Sequence, residues 1–382
     1  MPKRLASRRA LARGLALLAG GAALAACAPA APPTNTPAPA KPTEAPKPAA
    51  AAASTAAPAA AAAPKTKGPE KVGVRLGWLG NGEFAVLYVG MGKGFYENEG
   101  ILLDPHDGGP GKNPIVFVAA GQDDTFGVTA GGNSIFQARV GPNPVDVVAI
   151  GTLLQVHPFA YIRLAKAGTP DPTPKDLVGK TVGVQPASEY YVEALATQNG
   201  LDPKGINIAI VGATPEQLLV GKIDYFAGWV TNQAYDIDQQ LKKDNRTGEV
   251  WQPLLYNKWG SPSYADTLFC TGQTLKQRPD LVRGFLGATA KAMEFLYNNP
   301  KDSIPLITKY TTLDPPEKLD WRLKQQNPLM VSADTTEKGV LWMNPAVWQK
   351  SIDFYFDNKQ MPAKAPVDQV MTNEFLPGAP KL

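Results

Sequence analysis

The stretch that decides the fold is KVGVRLGWLGNGEFAVLYVGMGKGFYENEGILLD, residues 71–104. Its first six and last four residues are short apolar runs typical of buried strands, and the small-residue segment near 85–99 predicts a helix between them. Strand, helix and strand in this order predict a βαβ unit with parallel strands. The loop that leaves the first strand sets Trp78, Asn81 and Glu83 among glycines. Because open α/β sheets bind ligands at the carboxyl ends of their strands, this loop is a candidate binding loop.

The same alternation continues through the first two thirds of the chain. Short apolar strands at TFGVT, VDVVAIGTL and FAYIRL are separated by helical stretches near 113–120 and 132–140. The pattern begins again near residue 173, where TVGV is followed by a helical segment, and this restart predicts a second lobe. From about residue 264 the pattern becomes helical, with apolar residues at i, i+3, i+4 and i+7. The sequence therefore predicts an α/β protein with two lobes.

The N-terminal 69 residues do not belong to the predicted fold. Residues 1–27 carry five basic residues and no acid before an apolar run, the pattern of an export signal. SRRAL, residues 7–11, resembles a twin-arginine signal, and LAAC, residues 24–27, resembles a lipobox that would make Cys27 a lipidated first residue. The alternative is that Cys27 is incidental near an ordinary cleavage site. Residues 28–69 are mostly Ala and Pro without one aromatic, Val, Ile or Leu, so we expect a disordered tether.

Charge and cysteine content exclude several classes of function. The chain has 38 basic and 34 acidic residues, and loss of the signal would leave 33 against 34. No basic surface is implied, so a nucleic-acid partner is not expected. Cys270 is the only cysteine besides Cys27, which rules out a disulfide framework and a cysteine-rich metal site. The predicted core must be stable by packing alone.

Five segments, in this order along residues 70–382, carry a family resemblance: LGWLGNGEFAVLYVGMGKGFYENEGI, VAAGQDDTFGVT, DLVGKTVGV, LLVGKIDYFAGWVTN and RPDLVRGFLGATAKAMEFLYNNP. On these segments, the chain resembles the solute-binding proteins of ABC importers for thiamine pyrimidine precursors, sulfonates and nitrate. This resemblance implies a two-lobe α/β fold of the type II periplasmic-binding-protein kind, with residues 70–163 and 266–382 in lobe one and 164–265 in lobe two. It also implies a small-molecule ligand in the cleft between the lobes and an ABC permease as partner. The LAAC motif independently predicts a lipid-anchored protein on the extracytoplasmic face of the membrane.

Residues for catalysis are scarce. The two histidines, His106 and His157, have no spacing typical of a metal site or a catalytic triad. The eukaryotic pyrimidine synthases of the family use a cysteine cluster and iron, and this chain lacks those cysteines. We therefore predict no catalytic residues, no metal and no cofactor. His157, at a strand end, is a candidate ligand contact, with a purely structural hydrogen bond as the alternative.

Aromatic residues at strand ends point to a flat ligand. Trp78, Tyr190, Tyr191 and Trp229 lie at predicted strand-to-loop junctions. The family's pyrimidine binders carry a Trp, an Asn and then a His after the first strand. Trp78 and Asn81 match this motif, but Phe84 stands where the His would be, which makes the expected cleft more apolar.

The riboflavin-binding branch of the family gives the best match to such a cleft. The flavin ring would stack between Trp229 and either Trp78 or Tyr190, and the ribityl hydroxyls would meet Glu83, Asn232 or Gln233. A thiamine pyrimidine precursor of the formylaminopyrimidine type is the alternative ligand. Sulfonate or nitrate is less expected, because Arg75 and Arg163 are the only arginines near the strand ends of the first lobe and neither is placed as an anion clamp.

Overall fold

The computed structural model describes residues 68–109, 111–378 and 380–382. The predicted export signal, Cys27 and the predicted tether up to residue 67 lie outside the described residues.

Ten strands form two sheets in the described part of the chain. In chain order the strands are β1 Glu70–Arg75, β2 Ile101–His106, β3 Asp124–Gly131, β4 Val147–Leu154, β5 Phe159–Lys166, β6 Thr181–Val184, β7 Asn207–Ile210, β8 Tyr225–Trp229, β9 Glu249–Leu255 and β10 Ala265–Thr271. The first sheet has the order β2-β1-β3-β10-β4, and the second has the order β7-β6-β8-β5-β9.

Fifteen α-helices accompany these strands among the described residues. They are α1 Ala85–Gly92, α2 Phe95–Asn98, α3 Pro114–Ala120, α4 Asn133–Val140, α5 Glu189–Gln198, α6 Glu216–Leu219, α7 Gln233–Lys243, α8 Tyr256–Trp259, α9 Gly272–Gln277, α10 Pro279–Asn298, α11 Pro300–Ile307, α12 Pro316–Gln326, α13 Ala333–Lys338, α14 Pro345–Asp357 and α15 Val367–Val370.

Each sheet contains parallel pairs and one strand that runs against its neighbours. β1 pairs in parallel with β2 and β3, whereas β10 is antiparallel to β3 and β4. In the second sheet β6 pairs in parallel with β7 and β8, whereas β5 is antiparallel to β8 and β9. The two antiparallel strands are the first ones reached after the chain passes from one sheet to the other. The predicted α/β class is confirmed.

The chain passes between the sheets at residues 155–158 and 256–264. The predicted lobe boundary between residues 163 and 164 falls inside β5, whose ladder with β9 continues from Ala160 to Lys166. The structure also shows a strand, β10, where the sequence pattern predicted the start of a helical region. Below, lobe one denotes residues 70–154 and 265–382, and lobe two denotes residues 159–255; this division into lobes is a proposal based on the sheets.

Local sequence explains most of these elements. All eight residues of β4 are buried, as its continuous apolar run predicts, although the strand lies at the edge of the first sheet. The helix predicted near 85–99 is two helices, because Gly94 takes a left-handed φ of 68° between them. Residue 73 must be glycine because the backbone at Asp123 passes close to it: a Cβ there would lie 1.8 Å from the Asp123 carbonyl oxygen. α10 packs its buried face, including Phe285 stacked 4.0 Å from Phe126, against the first sheet.

Candidate functional site

A cavity of about 300 Å³ lies where the two sheets meet. Lobe one contributes the end of β3, the start of α4 and one face of α14, and lobe two contributes the ends of β6 and β8 and the start of α5. Both crossing segments also reach it, through His157 and Ser261. The volume is at the lower end of the ~300–1,000 Å³ range typical of small-molecule sites.

Aromatic rings form much of the wall of this cavity, which we call the interlobe cavity. The rings belong to Phe159, Tyr191, Trp229, Tyr256, Phe354 and Tyr355, with the imidazole of His157. Tyr191 packs against Phe159 at 5.6 Å and lies parallel to Phe354 at 6.2 Å between ring centroids. Burial raises the pKa of Tyr256 and Tyr355, so these phenols are neutral donors and acceptors at physiological pH.

The polar groups of the interlobe cavity are uncharged. They come from Asn133, Ser134, Gln185, Ser188, Asn257, Ser261, Ser263 and Ser351. Among the lining residues there is no Asp, Glu, Lys or Arg. The Ser261 hydroxyl is buried and has no hydrogen-bond partner within the described part of the chain. Such a site suits a ligand that is flat, neutral and able to hydrogen-bond at its edges.

Two aromatic hydroxyls join the lobes across the interlobe cavity. Tyr191 of α5 and Tyr355 of α14 share a short hydrogen bond. Tyr355 also contacts Phe136 on α4 with ring centroids 5.3 Å apart, so the bond fixes α5 to the core of lobe one. The described conformation is therefore one in which the lobes are held together around the cavity.

Three of the nine predicted ligand residues line the interlobe cavity: His157, Tyr191 and Trp229. The structure does not bring Trp78 or Tyr190 to the lining. Trp78 is 42% exposed, and Tyr190 stacks on Tyr191 at 4.2 Å and thereby supports it. The expected sandwich of Trp229 with Trp78 or Tyr190 is thus absent from the described structure, because the β1–α1 loop and α5 place those two rings elsewhere.

The other four predicted residues contact other parts of the protein; they are Phe84, Asn81, Asn232 and Glu83. Phe84 is 0% exposed in the core of lobe one. Asn81 accepts a hydrogen bond from the Glu83 N–H at 2.8 Å and so caps a short 3₁₀ turn. Asn232 accepts from Nη2 of Arg322 at 3.1 Å. Gln233, the further expected ribityl partner, accepts from the Trp229 N–H at 2.9 Å.

Glu83 belongs to a buried charge cluster beside the lobe interface. Its charge acts on the nearby carboxyl group of buried Asp266, and Arg322, 1% exposed, lies 3.0 Å from the Asp314 carboxylate. Lys318 reaches the same aspartate at 3.3 Å. We call these five residues the acid cluster.

The surroundings of Asp266 in the acid cluster favour its protonated form. No donor group of the described residues reaches either oxygen of Asp266, which is 1% exposed. Burial, followed by the charge of Glu83, raises the pKa of Asp266 well above its usual range. Burial also raises the pKa of Glu83, against the opposing effect of Arg322. With one proton between the pair, the three acids carry two negative charges, which Arg322 and Lys318 balance. Glu83 therefore acts in the interface and does not line the cavity.

Sequence reasoning missed Phe159, Tyr256, Phe354 and Tyr355 as wall residues. Phe159 and Tyr256 had a usable signal, since each begins or follows a strand at a sheet crossing. Phe354 and Tyr355 lie on α14 with ordinary amphipathic spacing, and nothing local distinguishes them from core residues. Only the packing of α14 against α4 brings them to the cavity.

A second, larger depression of about 640 Å³ lies on the surface of lobe one beside Arg75 and His106. Several of its charged groups are already paired: Asp124 lies 2.7 Å from Arg75 and 2.6 Å from His106, and Lys71 lies 2.8 Å from Asp104. No aromatic ring other than His106 lines it. The interlobe cavity is the stronger candidate for a ligand site, because it is more enclosed and its polar groups are not already paired as ions.

A ligand-sized cavity between two α/β sheets, with the chain crossing twice beside it, defines a bilobal solute-binding protein. The chain belongs to the NMT1/THI5-like family, whose model matches residues 81–303. It is 26% identical over 323 residues to the riboflavin-binding protein RibY of Chloroflexus aurantiacus, covering 81% of this chain and 87% of that protein.

Two further similarities concern the class of protein, one to an enzyme and one to a binding protein. The chain is 25% identical to a 4-amino-5-hydroxymethyl-2-methylpyrimidine phosphate synthase of Legionella pneumophila over 62% of this chain and 72% of that protein. Its fold matches the periplasmic aliphatic sulphonate binding protein SsuA of Escherichia coli with a TM-score of 0.55 and 17% identity, covering 79% of this chain and 91% of that one. The expected periplasmic-binding-protein fold and the family resemblance are confirmed. Within the described ranges, no helix is both long and apolar enough to cross a bilayer.

Proposed function

We propose that this protein is the substrate-binding component of an ABC importer and that it captures riboflavin. The observation that carries the proposal is the interlobe cavity, whose walls are aromatic and whose polar groups are all uncharged. The isoalloxazine ring is flat, neutral and edged with hydrogen-bonding groups, and Trp229 and Tyr191 offer faces on which it can stack. Each such stack contributes ~0.5–1.5 kcal/mol beyond the burial of area. The similarity to a riboflavin-binding protein supports this ligand.

The uncharged lining argues against an anionic ligand. Burying a sulfonate or nitrate without a cation would carry a large desolvation cost. The two arginines considered from sequence are already engaged: Arg75 pairs with Asp124, and Arg163 donates to Gln252 at 3.1 and 2.9 Å. We infer that specificity in this protein favours a neutral heterocycle.

We propose that the ligand is released unchanged. Nδ1 of His157 accepts a backbone N–H, at 3.2 Å, and so lacks the carboxylate partner that would support its action as a base. Cys270 is buried in β10, where burial raises the pKa of its thiol and keeps it in the unreactive form. Because one of the relatives is named a synthase, catalytic conversion of the ligand is the competing hypothesis.

Titration of the purified protein with three compounds tests the proposed ligand. We expect riboflavin to bind with micromolar or tighter affinity and to lose fluorescence on binding, because stacking on an indole brings the rings within a few ångströms. Ethanesulfonate should not bind, and formylaminopyrimidine should bind more weakly than riboflavin. A ligand at 100-fold its dissociation constant should add ~2.7 kcal/mol to stability, which a thermal shift reports.

Two results would contradict the proposal. Tight binding of the pyrimidine without any flavin quenching would favour a thiamine precursor as the ligand. Conversion of either compound at catalytic rates, seen by mass spectrometry, would replace the binding protein with an enzyme.

We also propose that the protein is held at the extracytoplasmic face of the membrane through lipidated Cys27. The support is the signal-like segment and the LAAC motif of residues 24–27. Cys27→Ala should shift the protein from the membrane fraction to the soluble fraction after a salt wash. Retention of the variant in the membrane would rule out this anchor, with the wild type in the same fractionation as control.

A further inference from the structure

His157 occupies the first crossing segment, between β4 and β5, at the wall of the interlobe cavity. Its ring lies edge-to-face with Trp229, with centroids 5.2 Å apart and planes at 74°. It also meets Phe159 edge-to-face, at 6.5 Å and 89°. Contacts with two aromatic side chains therefore hold the imidazole, so its two nitrogens have fixed directions.

The backbone determines which nitrogen of His157 carries the proton. The N–H of Phe159 donates to Nδ1 at 3.2 Å, which requires a lone pair on Nδ1. A neutral imidazole accepting at Nδ1 must carry its hydrogen on Nε2. Burial lowers the pKa of His157 to about 4, so the ring is neutral at physiological pH.

The Nε2–H of His157 lies beside Gly131, which also lines the interlobe cavity. A Cβ at Gly131 would lie 3.5 Å from Nε2, ordinary contact distance. None of the described residues accepts a hydrogen bond from Nε2. The absence of a side chain at Gly131 leaves this donor accessible from the cavity.

We propose that His157 is a specificity-determining residue whose neutral Nε2–H donates to a carbonyl oxygen or an unprotonated ring nitrogen of the ligand. The inference rests on the proposed function of the interlobe cavity and adds a chemical requirement to it. A flat ligand without an acceptor at that edge would bury the N–H unpaired and lose affinity. Because the donor is uncharged, its acceptor need not be an anion.

Two substitutions separate the two nitrogens. In His157→Asn, the amide oxygen can still accept from the Phe159 N–H, but no group reaches the Nε2 position. In His157→Gln, the longer amide carries an N–H to about the position of Nε2. With riboflavin as probe, we expect the Asn variant to lose roughly ten- to hundredfold in affinity and the Gln variant to stay within about threefold of wild type. His106→Gln, at a residue that does not line the cavity, should bind as wild type.

A spectroscopic readout tests the proton's position without relying on any variant. The chain has two histidines, so two-bond ¹H–¹⁵N spectra, with His106→Gln for assignment, identify the tautomer of His157 in the free protein. We expect the Nε2–H form between pH 5.5 and 8, a riboflavin affinity that is flat over this range, and a shift of the Nε2 resonance on binding.

Several results would overturn the inference. They are an Nδ1–H or doubly protonated ring in the free protein, wild-type affinity in the Asn variant, or riboflavin affinity that rises as the pH falls below 6.5. Failure of the wild type to bind riboflavin would contradict the proposed ligand instead. In that case the tautomer in the free protein still decides the donor's position, and the same Asn and Gln variants are compared with formylaminopyrimidine.

Discussion

Trp229→Ala is expected to weaken riboflavin binding about ten- to hundredfold, or 1–3 kcal/mol. Trp229 ends β8 at the interlobe cavity, so its truncation removes a stacking face and leaves the His157 ring without its edge-to-face neighbour. Trp229→Phe should recover part of the loss because a smaller ring still stacks. Titration by flavin fluorescence measures both changes, and the residual quenching in the Ala variant should fall with the affinity.

Trp251→Ala is the matched control for this experiment. Trp251 lies on β9 of lobe two, is partly buried and does not line the interlobe cavity. Its truncation should lower the melting temperature and leave riboflavin affinity unchanged. If Trp229→Ala instead lowers stability by the ~3–5 kcal/mol typical of a core tryptophan and binds riboflavin normally, Trp229 is a packing residue and not a ligand contact.

Asp266→Asn is expected to remove a pH dependence of the unfolding free energy. The Glu83–Asp266 pair holds a proton in the folded protein at pH values where both carboxyls are ionised in the unfolded chain. The folded state thus binds more protons, so stability falls as pH rises from the unfolded pKa of about 4 to the raised folded pKa. For one proton the slope is about 1.4 kcal/mol per pH unit within that window.

The Asn side chain can donate its amide N–H to Glu83 without any shared proton. Asp266 has a left-handed φ of 48°, a conformation that Asn also tolerates, so the exchange should not strain the backbone. We therefore expect the variant to be more stable than wild type at pH 8, with the difference shrinking toward pH 4–5. Denaturant unfolding at several pH values gives the comparison directly.

Asp314→Asn provides the opposite control. It removes the negative charge that pairs with buried Arg322, so it should destabilise the protein across the whole pH range. The unfolding free energy of wild type and of Asp266→Asn is compared between pH 5 and pH 8. An equal rise in both proteins would contradict the shared proton.

The sequence by itself determined the class of fold. Short apolar runs rich in Val and Ile, such as VDVVAIGTL, indicate buried strands, and their alternation with helical segments predicts parallel pairing. The restart near residue 173 predicted the second sheet, but the chain already enters that sheet at β5, before the restart. β10 was not predicted from the sequence, because its residues, TLFC among them, lie beside a long amphipathic region. A strand inserted antiparallel between β3 and β4 also has no local sequence pattern of its own.

Only the tertiary structure shows which residues line the interlobe cavity. Residue type and strand-end position were enough to identify His157, Tyr191 and Trp229 as candidates. The same signals also selected Trp78, which is exposed, and Glu83, which lies in the acid cluster, because exposure and charge partners depend on segments distant in sequence. Phe354 and Tyr355 reach the interlobe cavity from α14, about 200 residues after His157 in the chain. Strand pattern is a local property of side chains, whereas a cavity is made by the packing of segments that no local pattern relates.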